Sequence, residues 1–183
     1  KYSTDYPCSF MFVASMNPCP CGYYGDPTHR CVCTPGQIQR YMNKISGPLL
    51  DRIDIQCEIS PVPFQDISKA APGEPSAKIR ERVIKAREVQ AERFKDYKGI
   101  HCNAQMTERM IHQFAEPDEQ GIELLRMAME KLSLSARAYN RILKVARTIA
   151  DLAESEQIKP DHIAEAVGYR TLDRGDWAER GHL

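Results

Sequence analysis

Four cysteines, Cys19, Cys21, Cys31 and Cys33, form two Cys-x-Cys pairs with nine residues between them in a chain of 183 residues. Four thiolates meet the ligand count of a structural zinc site. Cys-x-Cys is tighter than the usual Cys-x-x-Cys, but two such pairs facing each other can close a tetrahedron. His29, two residues before Cys31, offers a substitute ligand. The loop around them holds Pro18, Pro20, Gly22, Gly25, Pro27, Pro35 and Gly36, so it has little to bury, and a metal would give it a reason to fold. The competing reading is a reduced, metal-free turn. A redox role is disfavoured, because neither pair has Cys-x-x-Cys spacing beside a helix start.

Asn17 ends an apolar run two residues before Cys19. A carboxamide at the C-terminal end of a parallel strand faces the crevice where α/β proteins bind ligands, and it can both donate and accept. The alternative is a turn-forming asparagine before Pro18. Arg52, in LLDRIDIQ, sits where a helix or turn feeds a strand. There it can point out of the fold and complete a neighbour's phosphate site, or it can pair with Asp51 or Asp54 on the surface. Arg137 lies in the first turn of a helix if Ser135 caps it, where the helix dipole disfavours a cation. Arg141 and Lys144 follow on the same face. Three cations placed against the dipole either await an anion or form a solvated basic face.

The elements that must position these residues divide the chain in two. Residues 10–16, FMFVASM, predict a buried strand, and residues 17–36 a loop. A short helix from Thr34-Pro35 would bury Ile38, Tyr41, Met42 and Ile45, and Gly47-Pro48 interrupts it. Ile53, Ile55, Cys57 and Ile59 alternate with polar residues and predict a second strand, with Cys57 a small buried hydrophobe. Two strands cannot make a parallel sheet, so its remainder is expected upstream, and the abrupt opening KYSTDYPCSFMFVA reads as a piece of a longer protein. A proline-rich linker over 63–76 leads to helical patterns over 76–97, 107–115, 118–132, 135–154 and 160–166, and then to a polar tail over 171–183.

Composition excludes several classes. Lys+Arg and Asp+Glu number 25 each, so global charge argues for no polyanionic partner and any nucleic-acid contact needs a local patch; helix 78–98 is the basic stretch. Seven cysteines without a secretory leader disfavour a disulfide framework. No apolar run approaches the ~18 residues of a membrane span, so a cytosolic protein is expected.

The runs FMFVASMNPCPCGYYGD, ISGPLLDRIDIQ and SARAYNRILKVARTIADLA, in that order, resemble the magnesium-chelatase-like AAA+ ATPases, nearest the bacterial ComM (YifB) branch. The resemblance covers residues 7–170. It implies the C-terminal part of an AAA+ αβα core over 1–62, with α/β character, followed by an all-α helical-bundle lid over 77–170. It implies Asn17 as sensor 1, orienting the attacking water; Arg52 as the arginine finger reaching into the neighbouring subunit's site; and Arg137, with Arg141 near it, as sensor 2 of the lid. It further implies ATP and magnesium in the parent protein, a homo-oligomeric ring (typically a hexamer), a bacterial cytoplasmic location, and a DNA-directed motor such as a branch-migration helicase. A chelatase subunit driving magnesium insertion into porphyrin is one alternative, and a zinc-stabilised interaction module without ATP is another. No G-x-x-x-x-G-K-[ST] and no apolar strand ending in Asp-Glu occurs in the chain, so the resemblance assigns it the sensing and coupling half of an ATPase.

Overall fold

The computed structural model describes residues 3–6, 10–62, 66, 68 and 73–170. Cys8, most of the linker and the tail from Thr171 lie outside them. The regular structure is helical. Helix α1 spans Pro35–Met42, α2 Gly47–Leu50, α3 Ser76–Arg93, α4 Glu108–Phe114, α5 Glu119–Lys131, α6 Ala136–Leu152 and α7 Pro160–Gly168.

Local chemistry sets several of these boundaries. Thr34 caps α1 in a capping box with Gln37, and Pro35 opens it. Asp118 accepts from Gly121 N at the start of α5, and Ser135 accepts from Ala138 N at the start of α6. Helices α5 and α6 both end with a residue at positive φ, Ser133 (49°) and Glu154 (54°). The bonds Leu134 N to Met129 O and Ser155 N to Ala150 O close these ends as Schellman-type turns.

The core of the bundle joins Met106, Met110, Ile111, Leu125, Ile142, Ala146, Ile158 and Ile163. Phe94, Tyr97 and Phe114 add an edge-to-face trio at 5.8–6.4 Å between centroids. Gly121 is required where α5 meets α7: a Cβ there would stand 2.9 Å from Pro117 Cβ. On α6 the buried line runs through Ala138, Ile142, Ala146 and Ala150, with Leu143, Arg147 and Asp151. Val145, Ile149 and Leu152 lie beside it and are only partly covered.

The expected strands are absent among the described residues. No ladder pairs residues 10–16 or 53–59. Phe10, Met11, Phe12 and Val13 are exposed, as are Ile55, Ile59 and Cys57; the buried residue of the second run is the out-of-phase Gln56. A strand exists only through hydrogen bonds to a neighbour, and alternation within one segment cannot supply that neighbour. Gly47-Pro48 does more than interrupt a helix, since the proline opens α2.

Candidate functional site

The cysteine loop gathers all four thiols. The Sγ atoms of Cys19, Cys21, Cys31 and Cys33 lie within 4.8 Å of one another. Cys19–Cys21 is 3.3 Å, Cys21–Cys31 3.5 Å and Cys19–Cys31 3.8 Å. These separations are far beyond a disulfide bond. Zinc–thiolate bonds of about 2.3 Å place tetrahedral sulfurs about 3.8 Å apart, so the donor set fits such an ion. Gly22, at φ 85°, turns the chain after Cys21, and its N–H donates to Cys19 O.

The electrostatics of the four sulfurs are unequal. Backbone N–H groups of Tyr23 and Val32 hold the Cys21 thiol down to about 6. Burial pushes Cys31 up to about 12 and raises Cys33 as well. His29 stands outside it: its ring stacks on Tyr23 at 4.9 Å and its Nδ1 meets Thr28 Oγ1 at 2.8 Å. Asp26 shapes that side of the loop, accepting from Thr28 Oγ1 and from the N–H groups of Thr28 and His29, which keep its carboxyl down near about 2.

Asn17 lines a cleft of about 650 Å3, with Met16, Gly22, Leu50, Ile53 and Gln56 among its walls. Arg52 and Arg137 are not among its lining residues. They are associated elsewhere, because the LLDRID turn packs onto the start of α6. Asp51 accepts from Ser135 Oγ at 3.3 Å, and Asp54 pairs with Arg141. Arg52 therefore pairs with neither flanking aspartate. It is exposed, and among the described residues its guanidinium donates only to Pro48 O, at 2.7 Å, four residues back. Arg137 is exposed in the first turn of α6, and no hydrogen bond or ion pair among the described residues engages it. Lys144, the third cation of that face, donates to Ala104 O at 2.9 Å; burial and the adjacent Arg141 lower its pKa.

Much of the basic stretch on α3 is matched by acids. Arg82 binds Glu74, Lys85 binds Glu154 and Arg93 binds Asp151. No helix among the described residues is long and apolar enough to cross a membrane. Sequence reasoning missed four contributors around Arg52: Asp54 as a partner of Arg141, Ser135 as a partner of Asp51, and the buried Gln56 and Arg170, which bond to Tyr169 and Ile53 across the same junction. Their partners are some 80 to 120 residues away in the chain, beyond the reach of local spacing.

Two family models match the chain in sequence. Residues 73–170 match the family described as magnesium chelatase, subunit ChlI C-terminal, and residues 1–67 match magnesium chelatase, subunit ChlI. Competence protein ComM of Haemophilus influenzae is 42% identical over 171 residues, covering 93% of this chain. The uncharacterized protein YifB of Escherichia coli is 44% identical over 170 residues, covering 92% of it. An uncharacterized protein of Mycobacterium tuberculosis is 36% identical over 165 residues, covering 90%. In each case the chain spans about a third, 32%, of the relative's own length. With two adjoining segments of one family following each other along it, the chain belongs to the magnesium chelatase family.

Proposed function

We propose that the chain is the C-terminal part of a ring-forming ATPase of the ComM type, in which residues 1–62 complete a nucleotide-binding αβα core and residues 77–170 form its lid. ATP and magnesium would be held chiefly by parts of the parent protein beyond this chain. In this reading Asn17 orients the attacking water, Arg137 meets the terminal phosphate from the lid, and Arg52 stabilises charge across the subunit boundary. Phosphoryl transfer asks for positioning and charge stabilisation, which an amide and two arginines can supply.

The observation that carries the reading is the state of the two arginines. Both are exposed, neither has an acidic partner among the described residues, and the same junction holds the segments that bear them. The likeness to ComM and YifB over more than nine-tenths of the chain favours this motor over a porphyrin chelatase subunit. In this reading the remodelled partner is DNA, in a bacterial cytoplasm. ATP turnover by the full-length parent tests the reading. Arg137→Ala should lower turnover on the order of 10²-fold or more, through loss of a charge that meets the phosphate; unchanged turnover would reject the lid role.

The four-cysteine loop supports a structural zinc ion, which would tie residues 19–33 together beside Asn17 and leave Asn17 itself off the metal. Elemental analysis of protein purified without chelator should find about one zinc per chain, as four thiolates at this spacing require. Cys31→Ser and Cys33→Ser should each lower that content and loosen the loop, measured as faster amide exchange at Gly22. Metal-free protein of unchanged exchange would leave a plain turn.

A further inference from the structure

The turn that carries Arg52 is held to the helical bundle at four points. Asp54 pairs with Arg141, one turn beyond Arg137 on α6. Asp51 accepts from Ser135, the cap of the same helix, at 3.3 Å. Arg170, buried at 1% exposure, donates from Nη1 to Ile53 O. Gln56 N donates to Tyr169 O at 2.9 Å, and Gln56 Nε2 closes the turn onto Leu50 O at 3.3 Å. Two of these anchors lie in the first two turns of α6 and two follow the end of α7. Between them Arg52 is left outside, free of the acids on either side.

We propose that the Asp54–Arg141 pair is a latch that sets the position of the Arg52 turn against the Arg137 helix, so that the two arginines move as one unit. The proposal rests on the motor reading of Arg52 and Arg137, and it assigns Arg141 to positioning and not to phosphate binding. The guanidinium of Arg141 is spent on Asp54, and both side chains keep partial exposure, 30% and 45%. Such a pair adds little to global stability. Its consequence is geometric: a rotation of α6 that moves Arg137 pulls on the turn that aims Arg52. In a ring, where Arg52 serves the next subunit's site, the lid state of one subunit is thereby transmitted to its neighbour's transition state. Asp54 and Arg141 are positioning residues, since neither need touch the nucleotide.

A charge-swap cycle in the full-length parent tests this. Because a displaced finger weakens an interaction made in the transition state, Asp54→Arg and Arg141→Asp should each lower kcat about 10-fold with KM for ATP within about twofold. The pair Asp54→Arg with Arg141→Asp should regain turnover to within about threefold of the parent, because residues in contact are not additive. Asp54→Asn, a milder change, should fall between, and thermal melting checks that each variant is folded. The latch is overturned if the single losses simply multiply in the double variant, or if neither single variant loses turnover. A rise in KM for Arg141→Asp that the swap does not cure would return Arg141 to phosphate binding. Arg52→Ala is the control that separates the two ideas. Normal turnover in Arg52→Ala rejects the motor reading; a collapsed Arg52→Ala beside unaffected latch variants rejects the latch alone.

Discussion

Replacing Arg52 by alanine in the full-length parent is expected to cut ATP turnover on the order of 10³-fold or more, the scale of losing an arginine that stabilises transferring phosphate. Substrate affinity should barely change, since an interaction made only in the transition state appears in kcat and leaves KM alone. The environment of Arg52 makes the prediction specific. Its nearest acids are engaged elsewhere, Asp51 by Ser135 and Asp54 by Arg141, so removing Arg52 strands no buried charge. The one bond its guanidinium makes among the described residues, to Pro48 O, is exposed. Folding should therefore survive the substitution, with stability changed by no more than about 0.5 kcal/mol, as at ordinary surface sites. A large loss of turnover in a stably folded variant separates a functional arginine from a structural one.

The second large effect concerns stability. Asp151→Ala should destabilise the helical bundle by about 3–5 kcal/mol, the cost of removing one partner from a buried ion pair. Asp151 is wholly buried and accepts two bonds from Arg93, at 2.6 and 2.7 Å, one from Arg147 Nε at 3.0 Å and one from Asn103 Nδ2 at 2.8 Å. Arg147 also donates to Ser155 O and Glu156 O, and so ties down the turn after α6. Without the carboxylate, two arginines lose their counter-charge in a site with little water. A urea titration checks the figure. Glu123→Ala, which removes the exposed partner of Arg126, is the comparison and should move stability by less than about 1 kcal/mol.

The same network has a definite pH sign. Burial opposes ionisation of Asp151, but the bonds from Arg93 and Asn103 and the charges of Arg93 and Arg147 outweigh it and hold the carboxyl below its ordinary value. A depressed carboxyl stabilises the fold above its unfolded pKa, and that contribution is lost as pH falls through the folded value. The acid limb of the stability curve should therefore flatten in an Asp151 variant.

How far these features could be read beforehand depends on the distance over which each is encoded. The ends of α1, α5 and α6 follow from Thr34, Asp118 and Ser135, because a cap acts over three residues. The four-cysteine set was equally legible, since its members lie within fifteen residues of one another. The strands were not: residues 10–16 and 53–59 have strand composition, but pairing is a property of two segments, and none here supplies the second. Cys57, expected to be buried, is exposed with its run, and Gln56 is buried because Tyr169 and Leu50 satisfy its amides. Arg147 and Asp151 are an i,i+4 pair, and their burial follows from the arrival of Arg93 and Asn103 from other elements, which local spacing does not encode. The Arg52 junction was hidden for the same reason, since its partners come from α6 and from beyond α7.

If Arg52 works on a nucleotide site in the next subunit, mixing two disabled parents should restore turnover. Full-length Arg52→Ala keeps its own site but lacks the finger; full-length Asn17→Ala keeps the finger but has a damaged site. Each alone should be nearly inactive. Unfolded together and reassembled into mixed rings, they create boundaries where an intact site faces an intact Arg52, at about one boundary in four for random equal mixing. ATP turnover should rise well above the sum of the two variants, toward about a quarter of the parent's level if boundaries act independently. Turnover that stays at that sum in rings shown to contain both variants would contradict that role for Arg52.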